Sequence, residues 1–194
     1  MAAQYLYTDK IGAGPDHPDK RWGLFSSELT DDQARARYDL DAGRRQDWFG
    51  IIPLTDADRR PRAFLQMSPR ANGVELQQLD ENGSVASTYI WRAYDPADEH
   101  PHAAPQGSVF MSSIAWYGYP EGDRFLRRVQ SLGHVVMDFR QDGTAVETRT
   151  TKRGFGEPSD VEEREFANVD VSANWFDIPQ FGDWEPFFNP TPTG

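Results

Sequence analysis

The segment from His134 to Thr151, HVVMDFRQDGTAVETRTT, constrains the fold more than any other part of the chain. Val135, Met137 and Phe139 alternate with polar neighbours, Gln141-Asp142-Gly143 follows, and Thr144–Thr151 is rich in β-branched residues. Alternation on both sides of an Asp-Gly turn specifies a β-hairpin, because Asp and Gly accept the backbone angles that tight turns demand. A second hairpin is expected at Val74–Leu79 and Ser84–Arg92 around Asp80-Glu81-Asn82-Gly83. The same period of two places Ala167, Val169, Val171, Ala173 and Trp175 on one side of an expected strand, Phe166–Trp175. Asn168, Asp170, Ser172 and Asn174 would then form its polar side, either a solvent face or the lining of a pocket.

Further strands are expected at Gln4–Thr8, Trp22–Ser26, Trp48–Leu54, Arg62–Met67 and Val109–Tyr119, the last with helix as its alternative. Thr30 has the spacing of a capping box with Gln33, which starts a short helix running to about Leu40. Its few apolar residues place that helix on the surface. Phe125, Leu126, Val129 and Leu132 recur at helical spacing before Gly133, which predicts a second helix over Asp123–Leu132. The fold class is therefore α+β, mainly β. It is a curved antiparallel sheet of about six to eight strands, open or partly closed into a barrel, with two short helices.

Composition decides whether such a sheet can hold a core. Leu, Ile, Val and Phe total 38 of 194 residues, a low share for a charged chain. The 25 Phe, Trp and Tyr compensate, since each buried ring removes far more surface from water than a methyl group does. One β-rich domain is expected over residues 1–177, with a proline- and aromatic-rich arm over 178–194.

Charge excludes several function classes. Of the net −11, residues 154–194 carry −8, with nine acids against one base. Such a surface repels nucleic-acid phosphates and anionic membranes and attracts basic proteins. The absence of cysteine rules out thiolate catalysis and Cys-based zinc sites. No apolar run approaches the ~20 residues that span a bilayer, and no basic-then-apolar leader opens the sequence, so a cytoplasmic protein is expected.

Chemistry-bearing motifs are sparse. Asp95, Asp98, Glu99, His100 and His102 share one proline-rich loop but match no closed metal spacing, and a solvated loop is the simpler reading. His134 with Asp138 or Glu147 would offer the histidine–carboxylate pair of a general base, yet no nucleophile elbow accompanies it. Gly12-Ala13-Gly14 and Gly154-Phe155-Gly156 lack the strand–loop–helix setting of a phosphate loop. No catalytic residue, metal or cofactor is assigned. The acids Glu157, Asp160, Glu162 and Glu163, with Asp183, Trp184 and Glu185 of the arm, form the expected contact surface for a basic protein. An immunity or inhibitor protein acting on a basic bacterial toxin or enzyme would have this profile. A small-ligand-binding barrel, an enzyme with a His/carboxylate site and an assembly component are the alternatives.

Overall fold

A computed structural model describes residues 4–9, 11, 24–25, 27–40, 48–54, 61–93, 107–122, 124–152, 154 and 158–190. The strands are β1 (Tyr5–Thr8), β2 (Glu28–Leu29), β3 (Phe49–Pro53), β4 (Ala63–Met67), β5 (Gly73–Leu79) and β6 (Val85–Ala93). They continue with β7 (Ser108–Gly118), β8 (Gly133–Phe139), β9 (Ala145–Lys152), β10 (Ser159–Phe166) and β11 (Trp175–Asp177). Two α-helices are described, α1 (Asp31–Tyr38) and α2 (Glu185–Phe188). All eleven strands join one antiparallel sheet, ordered β10-β9-β8-β7-β6-β5-β4-β3-β1-β2, with β11 added beside β7. The sheet is open, and no barrel forms.

The two glycine turns are built alike. Arg140 and Thr144 pair across Gln141-Asp142-Gly143, and Asp80 and Ser84 pair across Glu81-Asn82-Gly83. Gly143 and Gly83 both sit at φ +80°. This is the three-residue loop in which a glycine takes the left-handed position and sets the register of both strands.

One row of cross-strand neighbours shows where the core lies. Tyr7, Ile51, Leu65, Leu76, Tyr89, Ile114, Met137, Glu147 and Arg164 stand side by side across nine strands. The row is buried from Tyr7 through Ile114, half-buried at Met137 and Glu147, and exposed at Arg164. On the opposite face Phe64, Gln77, Thr88, Ala115, Val136, Thr148 and Glu163 follow the same course from buried to exposed. The strands from β1 through β7 thus form the body. The strands β8, β9 and β10 project from it as a thin flange.

The first of these faces is closed by a lid of α1 and the C-terminal segment. Helix α1 starts with both bonds of the capping box: Gln33 N–H donates to Thr30 Oγ1 (3.3 Å) and Thr30 N–H to Gln33 Oε1 (2.9 Å). The helix lies on the surface as expected, with five of its eight residues exposed, and packs inward through the buried Ala34 and Tyr38. The Tyr38 hydroxyl donates to the Pro179 carbonyl. Trp184, fully buried, meets Tyr38 edge-on at 5.5 Å and Phe49 at 6.4 Å, and its Nε1 donates to the Tyr7 hydroxyl (3.2 Å). Phe187 lies edge-on to Trp91 at 5.2 Å. The segment expected as an arm therefore packs into the same core cluster as the strands.

Two expected elements are absent. Residues 166–175 form no continuous strand: β10 ends at Phe166, Asn168 turns the chain at φ +58°, and Val169 N–H donates to Gly143 O (2.9 Å). A 3-10 turn at Ser172–Asn174 follows, and the Asn174 amide donates to Met111 O (3.0 Å), so this polar residue serves the core. The alternation there was real, but its backbone partners lie on a turn rather than a ladder. Over 123–132 only a 3-10 turn, Arg128–Gln130, is described. Leu126 N–H is taken by Ser84 Oγ (2.9 Å) of the neighbouring hairpin instead of an i−4 carbonyl, and Val129 and Leu132 stay exposed. Of the expected strand at 22–26, the described residues Leu24 and Phe25 are buried, while the short strand β2 falls just after it.

Replacing Gly143 by Val should cost about 1–3 kcal/mol, because a β-branched residue resists positive φ. The new Cβ would also stand 3.0 Å from Val169 O. Urea denaturation checks this, and an unchanged midpoint would refute the turn assignment. Trp184→Ala should cost about 3–5 kcal/mol, the range for emptying an aromatic site in a core. A loss below about 1 kcal/mol would mean that the C-terminal segment is a loose arm after all.

Candidate functional site

The flange is the part of the molecule with the most chemistry on its surface. No residue of β8 is fully buried, β9 buries Ala145 alone, and all eight residues of β10 are exposed. Strand β10 pairs with β9 on one side and, among the described residues, ends the sheet on the other. Its sequence, SDVEEREF, carries four carboxylates and one arginine.

Antiparallel register divides these charges between two faces. On the lidded face of the sheet, Glu147 lies opposite Arg164 and Arg149 opposite Glu162. Along each strand the opposite charges also approach: Arg149 to Glu147 at 3.7 Å and Arg164 to Glu162 at 3.8 Å. These four residues make a self-compensating square. On the other face, Asp138, Val146 and Glu165 form one row, and Val136, Thr148 and Glu163 the next. Glu163, Glu165 and Asp138 have no ion-pair partner among the described residues.

The sequence-derived contact residues are thus dispersed. Asp160, Glu162 and Glu163 lie exposed on β10, with Glu162 and Glu163 on opposite faces. Glu157 lies outside the described residues. Asp183 and Glu185 are exposed at the start of α2, whereas Trp184 between them is core and offers no surface to a partner. Its burial follows from the row of rings beneath it, Tyr7, Tyr38 and Phe49. Glu165 and Asp138 join Glu163 only through strand register. Reading 159–166 as a strand would have exposed that grouping, but the acid-rich segment lacks the apolar alternation that marks strands.

The candidate general base is not assembled. His134 faces the Tyr117 ring at 5.9 Å and pairs with Thr150. Glu147 pairs with Met137 and points to the other face, and Asp138 is four residues along the strand, about 13 Å away at the usual rise. Burial pushes the His134 pKa down from 6.5, and Lys152 pushes it further. Residues 95–102, with the histidine- and acid-rich loop, lie outside the described residues. Among the described residues no three His, Asp or Glu side chains cluster as metal ligands.

A recess of about 340 Å³ opens where the β5–β6 turn meets the end of β7, lined by Asp80, Glu81, Tyr117, Tyr119, Glu121 and Arg124. Three of the polar groups around it, Asp80, Asn82 and Tyr119, serve the scaffold. Asp80 Oδ1 accepts from Ser84 N–H (2.7 Å), and Asn82 donates to Gly122 O (2.9 Å). The Tyr119 hydroxyl donates to Val85 O (2.9 Å), and burial, aided by Tyr117 and Asp80, pushes its pKa up to about 12. That hydroxyl stays protonated near neutrality and has its proton committed.

No helix among the described residues is long and apolar enough to cross a membrane. Comparison with protein-family models, curated proteins and solved structures yields no match.

The lowered pKa of His134 has a definite consequence for stability. The folded state binds this proton less readily than the unfolded chain does, so protonation favours unfolding. Stability should fall as pH drops from about 6.5 through the depressed folded value, and should be unaffected by this group above that window. In His134→Gln the decline over the window should be shallower. Melting temperatures of both proteins between about pH 5 and 8 check it, and parallel curves would refute it.

Proposed function

We propose that the protein is an acidic protein-binding module that neutralises a basic partner. On this reading it acts in the cytoplasm as an immunity or inhibitor protein acts on a basic bacterial toxin or enzyme. The observation that carries the proposal is β10, a terminal strand exposed along all eight residues and bearing four carboxylates. A surface strand that served only to complete a core would bury at least one face, whereas β4 and β5 bury most of their residues and β10 buries none. Exposed carboxylates contribute only about 0–1 kcal/mol each to folding, so stability gives little reason to concentrate them there. Their long-range field instead favours encounter with a cationic surface. The net charge of −11 extends that field over the whole molecule. A ligand-binding barrel finds less support, because the sheet is open and β4 through β7 are filled on both faces.

The test is a comparison of two baits. The native protein and a variant with Asp160, Glu162, Glu163 and Glu165 changed to Lys are each used to capture binding proteins from the native lysate. The native bait alone should retain a protein of basic isoelectric point. Its association rate should fall at least about tenfold between low and physiological salt, while dissociation changes less. Association indifferent to salt and to charge reversal would refute the proposal.

A further inference from the structure

The two faces of the flange are electrostatically unequal, and the inequality says how a basic partner would dock. This inference rests on the protein-binding reading above and adds the face and the form of the ligand. On the lidded face Glu147, Arg149, Glu162 and Arg164 compensate one another at 3.7 and 3.8 Å along their strands and in alternating register across them. A cation arriving there meets carboxylates that already have partners. On the opposite face Asp138, Glu163 and Glu165 lack ion-pair partners among the described residues. Val136, Val146 and Val161 lie on that same face, half-buried or exposed, with Val161 59% exposed. Lys152 is the one lysine or arginine of these three strands on this face, at the far end beside Ser159 and donating to Val129 O (3.3 Å); His134 shares the face opposite Thr150. An uncompensated acidic rim around small apolar side chains suits basic residues spaced along an extended chain.

The outer edge of β10, free among the described residues, supplies the other half of the recognition. Strand β10 hydrogen-bonds to β9 on one side, so alternate residues along it present N–H and C=O groups outward, a ready template for another strand. Pairing with a second copy of β10 would place eight carboxylates in one short ladder, which like-charge repulsion disfavours. An added strand must therefore bring cations.

We propose that an extended basic segment of the partner adds as a further strand to the outer edge of β10, with alternate lysine or arginine side chains turned to the face of Glu163, Glu165 and Asp138.

The probe is an octapeptide of alternating lysine and valine, matched to the eight residues of β10, with the glutamate–valine peptide as control. In amide NMR spectra the basic peptide should shift residues 159–166, and the acidic one should not. Glu163→Lys with Glu165→Lys should weaken peptide binding about tenfold or more at about 0.15 M salt. Glu162→Lys, on the compensated face, should weaken it less than about threefold, because screening at that salt is short-ranged. Glu163→Gln with Glu165→Gln serves the same comparison should the charge reversal impair folding. Equal losses from Glu162→Lys and from the double variant would overturn the face assignment and leave the protein-binding reading standing. Shifts confined to residues outside β10 would overturn the strand addition. Failure of the basic peptide to bind the native protein at low salt would overturn this inference and the basic-partner reading together.

Discussion

The structure depends on the contact between one sheet face and the lid that α1 and the C-terminal segment form over it. Trp184 and Phe187 enter the same cluster as Tyr7, Phe49 and Trp91, residues from the first, third and sixth strands. A ring burying roughly 200 Å² gains about 5 kcal/mol by area alone, before ordering costs. A surface ion pair of the kind on β9 and β10 contributes about 0–1 kcal/mol. Between those magnitudes the rings decide the fold, and they compensate for a chain with few aliphatic residues. The Trp184–Tyr7 and Tyr38–Pro179 hydrogen bonds then fix the lid's position, because both polar atoms would otherwise be buried without partners.

The same constraint explains the flange. The lid spans β1 through β7, and β11 occupies the edge of β7 at Ser108–Phe110. Strand β8 is left with the other half of that edge, Ser113–Gly118. Beyond Phe139 of β8, which still touches the core cluster, burial falls from β8 to β10 among the described residues, and polar residues replace apolar ones. The return path is pinned where Val169 meets Gly143 and where Asn174 meets Met111. A thin acidic leaf is thus held on the body, giving to the core only the buried Ala145 and the partly buried Phe139.

Much of this was legible in the sequence. The hairpins at 74–92 and 134–151, the capping box of Thr30 and Gln33, and the strands at 4–8, 48–54, 62–67 and 109–119 follow from period-two alternation, turn glycines and cap spacing. Each of these signals is local, because a turn or cap satisfies its own backbone within a few residues. The acidity of the C-terminal fifth was equally plain.

Tertiary structure decided the rest. The alternation of 166–175 failed as a strand because Asn168 turned back and the following amide found Gly143, a partner 26 positions earlier. The helix expected at 123–132 lost Leu126 to a hydroxyl of another hairpin. Trp184 looked like a surface anchor, yet its neighbours in space, Tyr7 and Tyr38, lie more than a hundred positions upstream. The candidate site divided in the same way. Sequence alone determined that the surface is acidic, that β hairpins build the sheet and that no cysteine chemistry is possible. Which carboxylates share a face, which are already compensated, and which rings are core were settled by strand register and long-range packing. Those contacts join residues far apart in the chain, and local composition carries no record of them.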